Sequence, residues 1–576
     1  MKAPAFFQRS ELSAVLWAFR REFLVVGLFS MASNLLMLAP TLYMLQIYDR
    51  VLASQNELTL LAISLITLFL FGILATSEWA RSRVLVRAGM RFDAILGTRV
   101  FNASFDAYLS QSAASPARAF ADLLQIRQFL TGQGVFALFD APWAPIYIAV
   151  TFMLHPMLGV LAIVFAIVQG AIAWFGHRHT VAPAEAASQA ALDVNSYVQS
   201  KLRNAEVIES MGMIGNLRKR WRRLNQSYLD QSSSAHAVTE RVQAVSKFVR
   251  YSQQSLSLGA GALLVIDGQL SSGGMIAGNL LIGRALGPID QLVSLWRSFI
   301  STRAAFLRLE QLLVEFPERD PNLKRVAPKG QLVLRNVVAT APGRQQPILK
   351  GLSFEIPAGA LVGVVGPSGS GKSTLARVMM GIWPQVQGEV LIDGLPIDGW
   401  DRGELGPHLG YLPQDIELFD GTIAENIARF TEVDSEKVIS AARTTGLHEM
   451  ILRYPKGYDT PVGEAGRLLS GGQRQRIGLA RAVYGSPALI VLDEPNANLD
   501  DAGDAALRQT VLQLKEEGKT VVLITHRPAI LGVVDSLLVL QDGELAAYGP
   551  RDAVIEALRP PAPPQPSEPS MVPQSA

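Results

Sequence analysis

Nine residues in the C-terminal half, Gly366-Pro367-Ser368-Gly369-Ser370-Gly371-Lys372-Ser373-Thr374, directly follow the apolar run Leu361-Val362-Gly363-Val364-Val365. Glycines at this spacing ahead of Lys-Ser form a phosphate-binding loop. The loop lets successive backbone N–H groups converge on phosphate, and the helix that follows points its positive end at the same place. Lys372 is expected to reach the β- and γ-phosphates of a nucleotide, and the Ser373 hydroxyl to ligate Mg²⁺. Ordinary residue frequencies give about 4 chance matches per 100,000 positions, or roughly 0.02 over the chain. A plain glycine turn is therefore a weak account of the segment.

Two more apolar runs end in polar groups suited to the same chemistry. Ala488-Leu489-Ile490-Val491-Leu492 leads into Asp493-Glu494-Pro495. A buried strand that delivers a carboxylate suits the second Mg²⁺ contact of a phosphate-loop nucleotidase, and Glu494, next in line, suits polarisation of the attacking water. Taken alone, the pair is also an ordinary acidic turn. Val521-Val522-Leu523-Ile524-Thr525 ends in His526; a lone histidine is most often structural, but this one falls at a strand end where such chemistry gathers.

The elements that must hold these groups belong to a larger chain. At 576 residues it predicts two to four domains. Charged residues make up 18%, against roughly 25% in a soluble protein. With 49% hydrophobic residues, this argues against an ordinary cytosolic enzyme and against disorder. The absence of cysteine excludes a disulfide scaffold and thiolate-held metals. A net charge of +2 gives no global basic field, so no nucleic-acid partner is expected.

The missing charge is missing from the N-terminal half. Phe23–Tyr48 and Leu58–Ser77 are uncharged, and so is Ala141–Gly176 except for a His155-Pro156 break that reads as the turn of a tight helix pair. Weaker stretches near Tyr251–Ile266 and Met275–Leu295 complete six expected spans, at about 23–48, 58–78, 134–154, 157–176, 248–266 and 275–295. Buried soluble helices are the alternative for the last two. Basic residues cluster before the first span (Lys2, Arg9, Arg20, Arg21), after the second (Arg81, Arg83, Arg87, Arg91, Arg99) and after the fourth (Lys201, Arg203, Arg218, Lys219, Arg220, Arg222, Arg223). Only Arg50 is basic on the opposite side. This bias places both chain ends in the cytosol. The first apolar run is too long for a cleaved signal peptide.

The segments at 80–133 and 177–250 predict membrane helices that continue far into the cytosol, about 45 Å per 30 residues; a small cytosolic insert is the alternative. Ala184–Met211 carries helical spacing. Composition shifts around Pro317–Pro328, and strand-like alternation follows over Gln331–Val338. The expected organisation is multi-domain: an all-α transmembrane domain of six helices at 1–310, a linker at 311–329, an α/β phosphate-loop nucleotide-binding domain at 330–559 and a disordered Pro-rich tail at 560–576.

Leu469-Ser470-Gly471-Gly472-Gln473-Arg474-Gln475-Arg476 resembles the signature segment of ATP-binding cassette (ABC) proteins. The resemblance covers nearly the whole chain and implies an exporter fold, with ATP and Mg²⁺ as its ligands. It implies that Ser470, Gly471, Gly472 and Gln473 cap the nucleotide bound by a second subunit, so that a homodimer completes two ATP sites. It makes Gln414, in Leu412-Pro413-Gln414, the glutamine that touches Mg²⁺ and couples to the membrane domain. Asp500 resembles the D-loop aspartate, Glu494 the catalytic glutamate and His526 the switch histidine. Val462-Gly463-Glu464 resembles the exporter-type loop ahead of the signature. One position departs from the pattern. Where the family often stacks adenine on an aromatic, this chain has Ala341, within Ala339-Thr340-Ala341-Pro342. Base discrimination is therefore expected to be loose, with GTP competing well against ATP.

In the membrane half, Pro40-Thr41-Leu42-Tyr43-Met44-Leu45-Gln46-Ile47-Tyr48-Asp49-Arg50-Val51 resembles the first-span signature of type I secretion exporters, and Asp140-Ala141-Pro142-Trp143-Ala144-Pro145 their third-span entrance. Singly, the first is also a helix end at the interface and the second a pair of kinks; together they favour secretion. The resemblance implies the bacterial inner membrane, a periplasmic adaptor protein, an outer-membrane channel, and export of an unfolded polypeptide. With no peptidase-like segment ahead of the spans, the cargo is expected to carry an uncleaved C-terminal signal. An exporter of lipid, peptide or drug, and a membrane protein that binds ATP without turnover, are the rival readings.

Overall fold

The structure, a computed structural model, describes residues 10–110, 116–202, 204–318, 326–341, 343–344, 346–384 and 386–557. The expected tail at 560–576, part of the expected linker (319–325) and Pro342 lie outside the described residues. The chain divides into two compact units. The first comprises Met1–Ala107 and Ala113–Pro317, the second Tyr108–Ser112 and Glu318–Ala576.

Helices form the first unit: α1 (Glu11–Ala18), α2 (Arg20–Leu36), α3 (Ala39–Gln46), α4 (Glu57–Leu109), α5 (Pro116–Thr131), α6 (Gln133–Asp140), α7 (Ala144–Leu154), α8 (Pro156–Leu202), α9 (Ile214–Ile266) and α10 (Ser272–Glu315). Among the described residues, four stretches, Arg20–Ser54, Glu57–Leu109, Arg118–Leu154 and Pro156–Leu202, are long and apolar enough to cross a membrane. The more polar α9 and α10 hold the stretches expected as spans five and six. The 53 residues of α4 form one continuous helix, about 80 Å at 1.5 Å per residue. Its first part turns Leu58, Leu65 and Phe69 outward, while its later part buries Leu85, Phe92, Leu96 and Val100. Phe92, Leu96 and Val100 pack in one core with Leu12, Leu123 and Leu309. The segments at 80–133 and 177–250 are thus largely long helices.

Between α7 and α8, His155 is extended (φ −160°, ψ 136°) and Pro156 opens α8. Proline disfavours helical backbone in the residue before it and suits the first helical position, so the sequence breaks the pair at this point. The helix expected over Ala184–Met211 is interrupted. α8 stops at Leu202, a short helix covers Ala205–Ser210, and Gly212 turns the chain with φ 62°. The apolar spacing continues through this reversal, which is why spacing alone missed it. α10 runs to Glu315, so the stretch expected as a linker begins inside a helix.

The second unit is α/β. A six-stranded sheet has the order β10-β9-β3-β8-β7-β6, with β9, β3, β8, β7 and β6 parallel and β10 antiparallel to β9. Its strands are β3 (Leu361–Val365), β6 (Leu409–Leu412), β7 (Leu489–Asp493), β8 (Thr520–Ile524), β9 (Ser536–Gln541) and β10 (Glu544–Pro550). A second, antiparallel sheet joins β1 (Leu332–Thr340), β2 (Pro347–Ile356), β4 (Val386–Ile392) and β5 (Leu395–Pro396), in the order β2-β1-β4-β5. Every residue of β7 and β8 is buried, as expected for parallel strands covered on both faces. Ligands of such sheets gather beyond the carboxyl ends of the strands. Val365, Leu412, Asp493 and Ile524 end their strands there.

Candidate nucleotide-binding site

The loop from Gly366 to Gly371 joins β3 to helix α11 (Lys372–Met379). Two of its glycines are required by geometry. A Cβ on Gly366 would lie 2.1 Å from the Leu540 carbonyl oxygen, and Gly371 (φ 98°) would drive one to 2.9 Å from Leu349 Cδ2. Gly371 gives α11 no side-chain cap. The first N–H groups of that helix are thus free of side-chain acceptors, as an anion site needs. Lys372 is buried, and its Nζ donates to the carbonyls of Gly366 (2.9 Å) and Pro367 (2.8 Å). Burial pulls its pKa down, while the carboxylates of Glu494 and Asp493 oppose that pull.

Asp493 ends β7 with its side chain almost fully buried. Burial pushes its carboxyl above the usual range, and neighbouring Glu494 adds to the push. Its Oδ1 is buried without a hydrogen-bond partner, and so is the Ser370 hydroxyl. A buried carboxylate oxygen beside Ser373 and Lys372 fits a hard divalent cation held by protein oxygens and phosphate together. Among the described residues no group of three or more His, Cys, Asp or Glu could hold a metal alone.

Glu494 has left-handed backbone (φ 49°), costly for a side chain of this kind, and its N–H donates to Ile524 O at 2.9 Å. That turn aims the carboxylate at two partners. Gln414 Nε2 donates to Glu494 Oε2 at 3.1 Å, and His526 Nε2 stands 3.9 Å from Oε1. The structure thus gathers Lys372, Gln414, Asp493, Glu494 and His526, whose positions in the chain span 155 residues, at the strand ends beside Ser373.

The signature segment forms a second cluster. Ser470 caps helix α12 (Gly471–Val483) in a reciprocal box with Gln473. Arg476 pairs with Asp500 at 2.8 Å. Asp500 caps helix α13 (Asp501–Glu516) by accepting from Gly503 N, and that N–H holds its carboxyl below the usual range. A Cβ on Gly472 would meet Asn498 O at 2.9 Å. Ser470–Gln473 and Asp500 therefore share one surface. Among the described residues no hydrogen bond or ion pair joins Ser470–Gln473 to the 366–374 loop. The Glu464 side chain lies outside the described residues.

Some contributors were not foreseen. Gln475 Nε2 donates to Pro495 O (2.8 Å) and Glu494 O (3.3 Å), clamping the strained turn from the signature helix. Thr525 Oγ1 bonds the buried Asn496 side chain at 3.0 Å, tying the Glu494 turn to the His526 strand. Gln475 lies inside the quoted signature, and only its three-dimensional neighbours reveal its task.

The ABC transporter family model matches residues 349–497, and that of the ABC transporter transmembrane region matches residues 23–289. A type I secretion system ATP-binding protein, PrsD, of Rhizobium meliloti (strain 1021) is 41% identical over 556 residues, covering 96% of both chains. The leukotoxin translocation ATP-binding protein LktB of Mannheimia haemolytica is 28% identical over 548 residues, 93% of this chain and 77% of that one. The solved structure of a bacterial Atm1-family ABC exporter with ATP bound matches with a TM-score of 0.80, over 94% of this chain and 96% of that chain. At 23% identity this likeness is one of fold.

Proposed function

The chain belongs to the ABC transporter family, among the type I secretion ATP-binding proteins, and from that premise we propose that it uses ATP hydrolysis to export an unfolded polypeptide across the bacterial inner membrane. The observation that carries the cargo reading is the 41% identity to PrsD along 96% of both chains. The hydrolytic reading rests on the gathered Lys372, Gln414, Asp493, Glu494 and His526.

The backbone of Gly366, Pro367, Ser368, Gly369, Ser370 and Gly371 cradles the phosphates, with Lys372, Ser373 and Thr374 opening the helix beneath them. Ser373, Asp493 and the side-chain oxygen of Gln414 would hold Mg²⁺, which when bound neutralises charge on the phosphates. Glu494 accepts a proton from the water that attacks the γ-phosphorus as the bond to the bridging oxygen of ADP breaks. The Gln414 amide and His526 imidazole hold Glu494 in place for this. Ser470, Gly471, Gly472, Gln473 and Asp500 are fixed on their own surface, which suits them to close over the nucleotide of a second copy. A homodimer then carries two ATP sites, each built from both chains.

In the membrane unit, α9 and α10 supply spans five and six, with the transmembrane domain at 1–310 and the ATPase domain at 330–559. Both termini face the cytosol. A periplasmic adaptor, an outer-membrane channel and a cargo with a C-terminal signal complete the pathway. The test compares the secreted proteins of cells with and without this chain. At least one polypeptide is expected to vanish from the medium and return on complementation. An unchanged secretome alongside altered lipid or drug efflux would overturn the cargo reading.

A further inference from the structure

Arg429 follows the short helix Ile423–Ile427 and is not among the groups gathered at the nucleotide site. It and Phe430 both have left-handed backbone (φ 57°), a conformation costly for side chains of this kind. The Arg429 guanidinium donates to four carbonyls. Nε and Nη2 reach Arg481 O and Ala482 O, each at 3.0 Å, and Nη1 reaches Gly406 O and Leu409 O, each at 2.9 Å. Among the described residues no carboxylate forms an ion pair with it. Burial pulls its pKa down to about 10, so the group keeps its charge at neutral pH.

The four carbonyls belong to two regions that bear on the site. Arg481 and Ala482 lie in the last turn of the signature helix α12, where carbonyls lack partners within the helix and a cation is favoured. Leu409 opens β6, the edge strand of the six-stranded sheet, and that strand leads through Leu412-Pro413 to Gln414. The seam between β6 and α12 is closely packed. A Cβ on Gly410 would lie 2.3 Å from Ala482 O, and one on Gly478 would lie 3.0 Å from both Leu412 Cδ1 and Ile416 Cγ2. Arg481 Nη2 adds a bond to Glu417 O at 3.1 Å.

We infer that Arg429 is a positioning residue for ATP hydrolysis, joining the end of the signature helix to the strand that carries Gln414. The inference rests on the homodimer reading given above, in which Gln414 serves the nucleotide of its own chain and Ser470 that of a second copy. Ser470 opens the helix whose far end Arg429 holds, and Gln414 follows the strand whose start it holds. One guanidinium thus fixes the signature segment relative to Gln414, and so relates closure over one nucleotide to the Gln414–Glu494 pair at the other. A lysine, with its three donors at one point, cannot span the two elements.

The test uses the full chain in detergent, with ADP and the non-hydrolysable ATP analogue AMP-PNP as probes, because only the second offers a γ-phosphate to the signature segment. R429A should raise the Kd for AMP-PNP and lower kcat for ATP, each about tenfold, and leave ADP binding unchanged. R429K should show most of the same split. G410A, which forces β6 away from Ala482 O and leaves Arg429 in place, should repeat it. Where R429A fails to fold, R429K and G410A carry the same comparison. Equal weakening of ADP and AMP-PNP would show a merely structural joint and overturn the proposal, as would an unchanged kcat. If the wild type hydrolyses no ATP, the hydrolytic reading falls, and this proposal with it.

Discussion

In the membrane unit Leu58, Leu61, Leu65, Leu68 and Phe69 face outward, while Asn34, Arg81 and Tyr147 are buried. Asp140 accepts from Asn34 Nδ2 at 2.7 Å and pairs with Arg81 at 3.4 Å, and Tyr147 OH donates to Asn34 O at 2.8 Å. In the ATPase unit the arrangement is reversed. Leu489–Leu492 are wholly buried, and the strand then hands Asp493 and Glu494 to the site. The difference follows from the solvent. Hydrocarbon offers no hydrogen bonds, so polar groups in a membrane unit must satisfy one another inside. Water around the ATPase unit makes apolar burial the driving force, and chemistry moves to strand ends. A carboxylate therefore sits differently in the two units: Asp140 and Asp49 tie helices together, whereas Asp493 and Glu494 stand at a strand end, where the proposed reaction takes place.

That contrast can be broken, beginning with the largest effect. Glu494→Gln should slow phosphate release at least about 10²-fold, the scale of a lost general base, with nucleotide binding retained. Similar turnover in mutant and wild type would mean that Glu494 is no more than a structural acid. In the membrane unit, Asp140→Ala leaves the buried Arg81 guanidinium with the Ser30 hydroxyl (3.2 Å) and the more distant Glu78 carboxylate (3.9 Å), and should cost up to about 3 kcal/mol. The double variant R81A/D140A should recover part of that loss, as read by thermal unfolding in detergent. Additive losses would show that the pair is not coupled.

A smaller effect is expected at the opposite end of the spans. Asp49, within the π-helical turn Ile47–Val51, accepts from Ser271 Oγ (2.6 Å) and Gly273 N (2.8 Å) and so ties that turn to the start of α10. Asp49→Ala should cost about 1 kcal/mol, the size of a lost helix cap, and Asp49→Asn less. The mildest test sharpens the contrast. Because burial raises the Asp493 pKa, its ionised form is disfavoured in the folded protein. That penalty sets in as pH rises through the ordinary carboxylate range and grows until the raised folded-state pKa has been passed. Asp493→Asn should therefore raise the Tm of the nucleotide-free protein at pH 7, while abolishing Mg²⁺-dependent stabilisation by ATP. A lowered Tm would place Asp493 with the structural carboxylates.

Much of the site was legible because its chemistry is local: a glycine loop after a strand, acids after a strand, and a histidine after a strand. Each motif fixes its own backbone. The helix pair broken at His155-Pro156 was legible for the same reason, since proline acts on its immediate neighbour. The reversal near Asn204 was not, because apolar spacing of helical period runs through it. Gln475 was also out of reach, as its partner, Pro495 O, lies 20 residues away in sequence.

Composition, charge-free runs and motif spacing by themselves determined that this chain has a membrane half and a nucleotide half, and which residues make up the candidate phosphate loop. These are properties of segments of up to about 20 residues, set by hydropathy and local backbone geometry. Only the tertiary structure decided that Gln414 and His526 converge on Glu494, that Gln475 holds the strained Glu494 turn, and that Asp49 and Asp140 serve packing. Those roles come from hydrogen bonds between distant strands and helices, and sequence spacing carries no information about which distant groups meet.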